Sequence, residues 1–446
     1  MKKMLSCYAL AAAAFVVSPQ LAAQSTSVSP VVVVMSGLDN PRGLAFGPDG
    51  ALYVAEAGRG PSIEGSPCLL DTSQPQIPGT SFLCVDSAGG YVPCMLLSDQ
   101  FASRNFPDLF LKYKPACAGS TGAITRLWHG QQQRVATGLP SWAFVSAVGA
   151  FSLHAEGPNG VSMLGVGDAY VTVGLEGAIC DAQRNCVSPL RNALGTGFGR
   201  LVRVILPTGH WHFVADLAEY EIENNLEPRK IDSNPFGVLA VPGNQIIVDA
   251  GGNDVLARSS DTGQISPLAV FLNHRVSCFD STGQLRTTDG DGVPTSVALA
   301  PDGSLYVGQL TGVPLCDGAA TIYRLDASAD FGLIPACTGF KAIVSLAFDK
   351  RGNLYVLEIY SASPSGFAGP GAIYRIDAAA LAAGVDHCDR ASSIQVDTGG
   401  TRLITPTSIV VGPDEMLYVT NKGSDSSYGN NPHAQGEVMQ IVPPID

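Results

Sequence analysis

One position recurs six times along the chain, and in five of its six copies the residue is polar: Glu56, Val173, Asp249, Gln309, Glu358 and Asn421. Each closes a short apolar run such as Leu52-Tyr53-Val54-Ala55 or Leu417-Tyr418-Val419-Thr420. A second polar group gathers near the start of the preceding run in each repeat, at Asn40, Arg42, Asn159, Asp232, Asn234, Thr295 and Thr407. Three carboxylates with amide oxygens nearby suit a hard cation such as Ca²⁺, with Glu56, Asp249 and Glu358 as its ligands. The same acids serve equally well as turn caps or as acceptors of backbone N–H bonds in their own repeat. The spacing does not separate these readings, because it comes from the repeat and not from a ligand motif.

Other chemistry is thinly represented. There is no G-x-S-x-G and the seven His are scattered, so no nucleophilic triad is visible. His210 and His212 flank Trp211 and would share one face of a strand, which favours a packed or exposed pair at a rim over a metal site. The Gly-rich text Asp249 to Asp254 precedes a strand and not a helix, which argues against a phosphate loop. Asp289-Gly290-Asp291-Gly292 resembles part of a calcium loop but lacks the Glu that would complete it, so it reads as a solvated turn.

The elements that must position these residues are hairpins. Arg42 to Phe46, Gly47-Pro48-Asp49-Gly50 and Leu52 to Glu56 form the first copy; the others start near Pro158, Pro235, Pro294, Ile343 and Pro406. Pro-Asp-Gly supplies the turn, and the flanking runs are short and almost continuously apolar, as in sheets covered on both faces. A third strand follows each hairpin, such as Thr321-Ile322-Tyr323-Arg324, and then a fourth, such as Arg134 to Leu139. Four strands per unit and six units predict an all-β, six-bladed β-propeller of four-stranded blades. The last unit has no fourth strand, while Val31 to Met35 precedes the first unit unpaired, so the N-terminal strand is expected to close the last blade beside Ile441. In a propeller the starts of first strands and the ends of second strands open on one face. The channel-mouth candidates are then Asn40, Arg42, Glu56, Asn159, Asn234, Asp249, Gln309, Glu358 and Asn421. Insertions are expected at Leu175 to Gly197, Leu217 to Ser233 and Ser361 to Pro370, and the largest, Pro61 to Ser120, is rich in Cys and shows no strand pattern.

Composition agrees. Of 446 residues, 46% are hydrophobic and 15% charged, which excludes a disordered chain or a coiled coil. The 50 Gly and 30 Pro suit many tight turns, and a net charge of −13 disfavours nucleic acid and anionic lipid as partners. Lys2 and Lys3, the apolar stretch Met4 to Val17 and Leu21-Ala22-Ala23 read as a signal peptide over residues 1–23, with 24–446 as a single exported domain, secreted or periplasmic. No later segment is long and apolar enough for a transmembrane anchor. Beyond Cys7 there remain Cys68, Cys84, Cys94, Cys117, Cys180, Cys186, Cys278, Cys316, Cys337 and Cys388, an even number without any CxxC pair. That pattern favours disulfides over structural zinc, with the first four expected to pair among themselves.

Longer text adds a resemblance. Gly37 to Gly58, Val214 to Glu221, Asp232-Ser233-Asn234-Pro235-Phe236-Gly237, Asp249 to Asp254 and Tyr306 to Gly312 resemble the ScyD/ScyE family across nearly all of the chain beyond residue 23. The chain departs from the family pattern in the long Cys-rich segment 61–120 and at Gln309, where an acid is common. The family is named for proteins encoded with the biosynthesis of a secreted pigment, and its members resemble exported NHL and TolB-like propellers. The resemblance implies a link to secondary-metabolite production and carries no catalytic residue with it. Two functions are compatible with this reading. One is a non-catalytic scaffold that binds a small molecule, glycan or protein in the cell envelope. The other is a periplasmic enzyme, either a metal-dependent lactone hydrolase or a quinoprotein sugar dehydrogenase.

Overall fold

The computed structural model describes residues 31–60, 81–85, 91–96, 115–144, 155–175, 197–228, 231–279, 284–312, 314–329, 332–361, 366, 369–423 and 436–444. Residues 1–23, Cys68, Cys180 and Cys186 lie outside these ranges, as do the side chains of Cys84, Cys94 and Cys117.

Six antiparallel sheets form the six blades of a β-propeller. Blade 1 is built on Pro41–Phe46, Leu52–Glu56, Pro115–Trp128 and Gln131–Phe144. Blade 2 runs Pro158–Leu164, Asp168–Val173, Arg200–Ile205 and His210–Asp216. Blade 3 runs Pro235–Val241, Asn244–Asp249, Asp254–Ser259 and Ile265–Val270. Blade 4 uses Pro294–Leu299, Leu305–Gln309, Ala320–Leu325 and Leu333–Phe340. Blade 5 uses Ile343–Phe348, Leu354–Glu358, Ala372–Ile376 and Ile394–Gln395. Blade 6 takes Ile409–Val411, Leu417–Asn421 and Gly436–Ile441, and its fourth strand is the N-terminal Val31–Leu38, with Val31 opposite Ile441.

The apolar strands are buried between blades, which is why they do not alternate. Tyr53, Ala55 and Ile124 of blade 1 pack against Val161, Val171 and Val202 of blade 2. Ile322 and Phe340 of blade 4 meet Ile343, Leu346 and Val356 of blade 5 in the same way. Met35, Leu38 and Val438 of blade 6 pack on Leu44, Leu52 and Val54 of blade 1 and complete the ring.

The inner strands approach one another closely, and one residue per strand permits it. In blades 1 to 3 that residue is Gly43, Gly160 or Gly237; a Cβ on Gly160 would stand 2.7 Å from the Phe236 carbonyl oxygen of the next blade. In blades 4 to 6 it is Ser296, Ser345 or Ser408. Ser345 Oγ accepts from Ile409 N at 3.1 Å, and Ser408 Oγ accepts from Leu44 N at 3.1 Å across the ring-closing seam.

Three features differ from expectation. The segment 61–120 is not without strands: Ser81–Val85 and Tyr91–Leu96 pair with each other and extend the blade 1 sheet beside residues 115–117, where Cys94 stands opposite Cys117 in register. Both are short apolar runs, read as loop because cysteines dominate their surroundings. An unforeseen hairpin, His274–Phe279 with Leu285–Gly290, stands between blades 3 and 4, tied down by a Cys278–Cys316 disulfide. The insertion after blade 2 holds a helix, Leu217–Asn224, capped by Asp216 accepting from Glu219 N at 3.0 Å. A second disulfide, Cys337–Cys388, joins the outer strand of blade 4 to the connection before the last strand of blade 5. Among the described residues no helix is long and apolar enough to cross a membrane.

Ring closure by the first strand can be tested on that strand. Met35 is 2% exposed and Val33 is 50% exposed. Met35→Ala is expected to cost about 2–5 kcal/mol in urea unfolding, and Val33→Ala less than about 0.5 kcal/mol.

Candidate functional site

The antiparallel register puts the start of each inner strand opposite the end of its neighbour. Pro41 faces Glu56, Pro158 faces Val173, Pro235 faces Asp249, Pro294 faces Gln309 and Ile343 faces Glu358. The five polar strand ends therefore lie on one face of the ring, and all five are buried.

Burial obliges each to find donors, and each finds them in its own blade. Glu56 Oε2 accepts from Asp39 N at 2.6 Å, and Glu358 Oε1 accepts from Lys341 N at 2.7 Å. Asn421 Oδ1 takes the equivalent bond from Ile404 N at 2.7 Å and donates through Nδ2 to Glu437 at 2.8 Å. Asp249 accepts from the backbone N–H of Asn234, Gly251 and Gly252 at 2.6, 3.0 and 2.9 Å, and from Ser233 Oγ at 2.6 Å. Gln309 Oε1 accepts from Thr321 N at 3.2 Å. The end of the second strand thus latches the chain that enters, or leaves, the same blade.

Two of the buried acids also hold an arginine. Arg134 bridges Glu56 and Asp39, each at 2.7 Å, and Thr125 Oγ1 donates to Glu56 as well. Arg390 bridges Glu358 at 3.2 Å and Asp317 at 2.6 Å. Burial still dominates at Glu358 and pushes its carboxyl up to about 7, against the lowering influence of Lys341 N–H and Arg390. Asp249 is pushed up to about 6 by burial, opposed by its hydrogen bonds.

The three acids expected to ligate a cation are therefore engaged with separate donors in blades 1, 3 and 5. Among the described residues no three His, Cys, Asp or Glu side chains are grouped to hold a metal ion. His210 and His212 lie exposed on the outer strand of blade 2. Asn40 donates to the Gly58 carbonyl at 2.8 Å and stays in its own blade.

Three of the other candidates do converge. Arg42 Nη2 lies 3.5 Å from Glu156 Oε1 and donates to the Ala155 carbonyl at 2.6 Å. Asn159 Nδ2 donates to Glu156 Oε2 at 3.2 Å. A Cβ at Gly174 would collide with Glu156 Oε2, Asn159 Nδ2 and Asn234 Oδ1 together, so these side chains crowd one spot between blades 2 and 3. Glu156 escaped the sequence reading. Its signal was its place two residues before Pro158, the place Asp39 holds before Pro41. In blade 2 the strand end is the apolar Val173, and the carboxylate stands at the strand entry instead.

Arg42 and Asn159 also line the central channel, a cavity of about 230 Å³ bordered by the six inner strands. Ser296, Thr295, Thr407 and Ser408 line it as well. Three buried polar atoms of these residues have no hydrogen-bond partner: Arg42 Nε, Asn159 Oδ1 and Ser296 Oγ.

A second cluster lies off the axis, where the helix after blade 2 meets blade 3. Asp254 is buried and begins the third strand of blade 3 opposite Asp249; Glu221 is buried in the helix. Burial, with Asp249 and Glu221 nearby, holds the Asp254 carboxyl well above the ordinary carboxylate range. Burial, with Asp249, Asp232 and Glu227 nearby, pushes Glu221 up to about 9.

No family model matches the chain, and no curated protein matches it. Solved propellers do. A catalytically inactive virginiamycin B lyase from Staphylococcus aureus with quinupristin is 11% identical with a TM-score of 0.39, covering 92% of this chain and 98% of its own. A putative gluconolactonase is 13% identical with a TM-score of 0.36, covering 93% and 91%. A PQQ-bound aldose sugar dehydrogenase from Streptomyces coelicolor is 13% identical with a TM-score of 0.30, covering 64% and 94%.

The raised carboxyl of Glu358 has a measurable consequence. Its folded value, about 7, exceeds the ordinary 4.5, so in that window the folded chain keeps a proton that the unfolded chain has lost. Stability from this group is complete below the lower value and declines as pH rises through the upper one. The melting temperature of the wild type is expected to fall more steeply from pH 5 to 7 than that of Glu358→Gln. Parallel slopes in the two proteins contradict this assignment.

Proposed function

We propose that the chain is an exported binding propeller of the ScyD/ScyE type that holds a small hydroxylated anion in its central channel without turning it over. The observation that carries this reading is the set of unpartnered polar atoms on residues lining one cavity: a guanidinium nitrogen at Arg42, an amide oxygen at Asn159 and a hydroxyl at Ser296. Buried polar atoms are paired in the large majority of cases, so three orphans on residues that line one cavity favour a guest toward which these side chains turn to find partners. A guanidinium complements a carboxylate; an amide oxygen and a hydroxyl complement sugar-like hydroxyls. The cavity of about 230 Å³ falls below the roughly 300–1,000 Å³ of pockets that take drug-sized ligands. A molecule of monosaccharide size suits it better than a glycan chain or a protein.

The leader-like start and the two disulfides among the described residues support an oxidising, extracytoplasmic setting. The enzymatic alternatives receive less support. A metal-dependent lactone hydrolase needs a cation with an open coordination position, and the carboxylates at the strand ends are engaged by their own blades. A quinoprotein dehydrogenase wants a basic, His-bearing pocket, and among the described residues the channel lining holds one arginine and no histidine.

Sodium gluconate is a suitable probe. Millimolar gluconate is expected to raise the melting temperature of the mature protein, with a smaller rise in Ser296→Ala and none in Arg42→Met. Since Ser296 Oγ makes no hydrogen bond, Ser296→Ala should melt like the wild type without ligand. Gluconolactone hydrolysed faster than in a buffer blank replaces this reading with the enzymatic one.

A further inference from the structure

The turn ends of the hairpins, on the face opposite the strand-end latches, carry a repeated trio of side chains. In blade 1 Tyr53 Oη donates to the turn residue Asp49 at 3.5 Å, and Arg126, opposite Tyr53 in register, pairs with Asp49 at 2.8 Å. In blade 6 Tyr418 Oη donates to Asp414 at 2.9 Å. Gln440, opposite Tyr418, donates to Asp414 at 2.9 Å and to Tyr418 Oη at 2.7 Å. Each of these trios is closed on itself.

Blade 4 holds the same trio in Asp302, Tyr306 and Arg324, with Tyr306 opposite Arg324, and there it is open. Arg324 turns to Asp326 at 3.3 Å, and Asp302 accepts from Ser304 N at 2.9 Å. Burial and the charges of Asp302 and Arg324 act on the Tyr306 hydroxyl, and among the described residues no hydrogen bond does. The trio borders a cavity of about 590 Å³ between blades 4 and 5. Ile334, Phe348 and Leu381 give it an apolar wall, Leu381 coming from the short helix Ala378–Ala383. The Phe348 ring packs on the Tyr306 ring at 5.3 Å between centroids. Arg351 borders the same cavity, 3.6 Å from Glu415.

We propose that this cavity binds a small monocarboxylate with an apolar body, the carboxylate on Arg324 and the Tyr306 hydroxyl and the body against Phe348 and Leu381. The site is separate from the channel and independent of the ligand proposed there. Its volume of about 590 Å³ lies within the roughly 300–1,000 Å³ of small-molecule pockets. A guanidinium and a phenol O–H both donate to a carboxylate, and the charge-assisted bond is the stronger of the two. Arg324 and Asp326 form a pair that is partly exposed on both sides, so a guest's carboxylate displaces Asp326 at little cost. Among the described lining residues two guanidiniums face one carboxylate, Asp302, which its own turn engages. The local balance therefore favours an anion although the chain carries a net charge of −13. The apolar wall disfavours a sugar-like guest, whose hydroxyls would lose water there without gaining partners.

Titration of the mature protein with naphthoate, followed by the fluorescence of the ligand, tests the site, with naphthylmethanol as the uncharged counterpart. One naphthoate is expected to bind per chain, about tenfold more tightly than the alcohol. Arg324→Met is expected to weaken binding about tenfold and Tyr306→Phe about threefold. Ala382→Trp is expected to abolish it by filling the cavity that Ala382 borders. Ala382 is exposed and the Tyr306 hydroxyl has no hydrogen bond among the described residues, so Ala382→Trp and Tyr306→Phe should melt like the wild type. Absence of binding at millimolar naphthoate overturns the proposal. So does an affinity unchanged in Arg324→Met or in Ala382→Trp, and so does an alcohol that binds as tightly as the carboxylate.

Discussion

A carboxylate buried at the end of a strand must be fed by donors close enough to replace water, and that requirement organises one whole face of this ring. The second strand of each blade ends opposite the entry of the first. A side chain there can reach the backbone N–H of the residue that leads into its own blade, as Glu56 reaches Asp39, Glu358 reaches Lys341 and Asn421 reaches Ile404. These latches fix where each blade begins. Without them the entry N–H groups would be buried orphans, each costing about 1–3 kcal/mol.

The blades solve the charge problem differently. Blades 1 and 5 set arginines against their acids. Asp249 of blade 3 relies on three backbone N–H groups and a serine hydroxyl. Blades 4 and 6 avoid the charge with Gln309 and Asn421. Asp254 and Glu221 stand apart, since among the described residues no basic group acts on either. The channel shows the same logic in neutral groups. Ser345 and Ser408 spend their hydroxyls on the next blade's backbone, while Ser296, at the equivalent place, does not.

Much of the architecture was legible in the chain because the signals are local. A tight turn between two apolar runs, Pro-Asp-Gly in blades 1 and 4, acts over about ten residues, and the six-fold recurrence of that hairpin counts the blades. The unpaired run Val31 to Met35 announced the closing strand, since a fourth strand was missing at the other end. The strands at 81–85 and 91–96 and the hairpin at 274–290 were not read, because they fall outside the repeat and have no second copy to compare with.

The polar ring shows where sequence reasoning stops. Residue order was enough to place Glu56, Asp249, Gln309, Glu358 and Asn421 on one face, since register in a repeated hairpin follows from strand length. It could not tell whether those side chains point their lone pairs at a ligand or at their own blade. The deciding partners lie far away along the chain: Arg134 is 78 residues from Glu56, and Arg390 is 32 residues from Glu358. Sequence determined the number of blades, their closure and the position of the acids, because hairpin chemistry is short-range. Only the tertiary structure decided which polar atoms are satisfied and which are not, because satisfaction depends on donors that the ring brings together from distant strands.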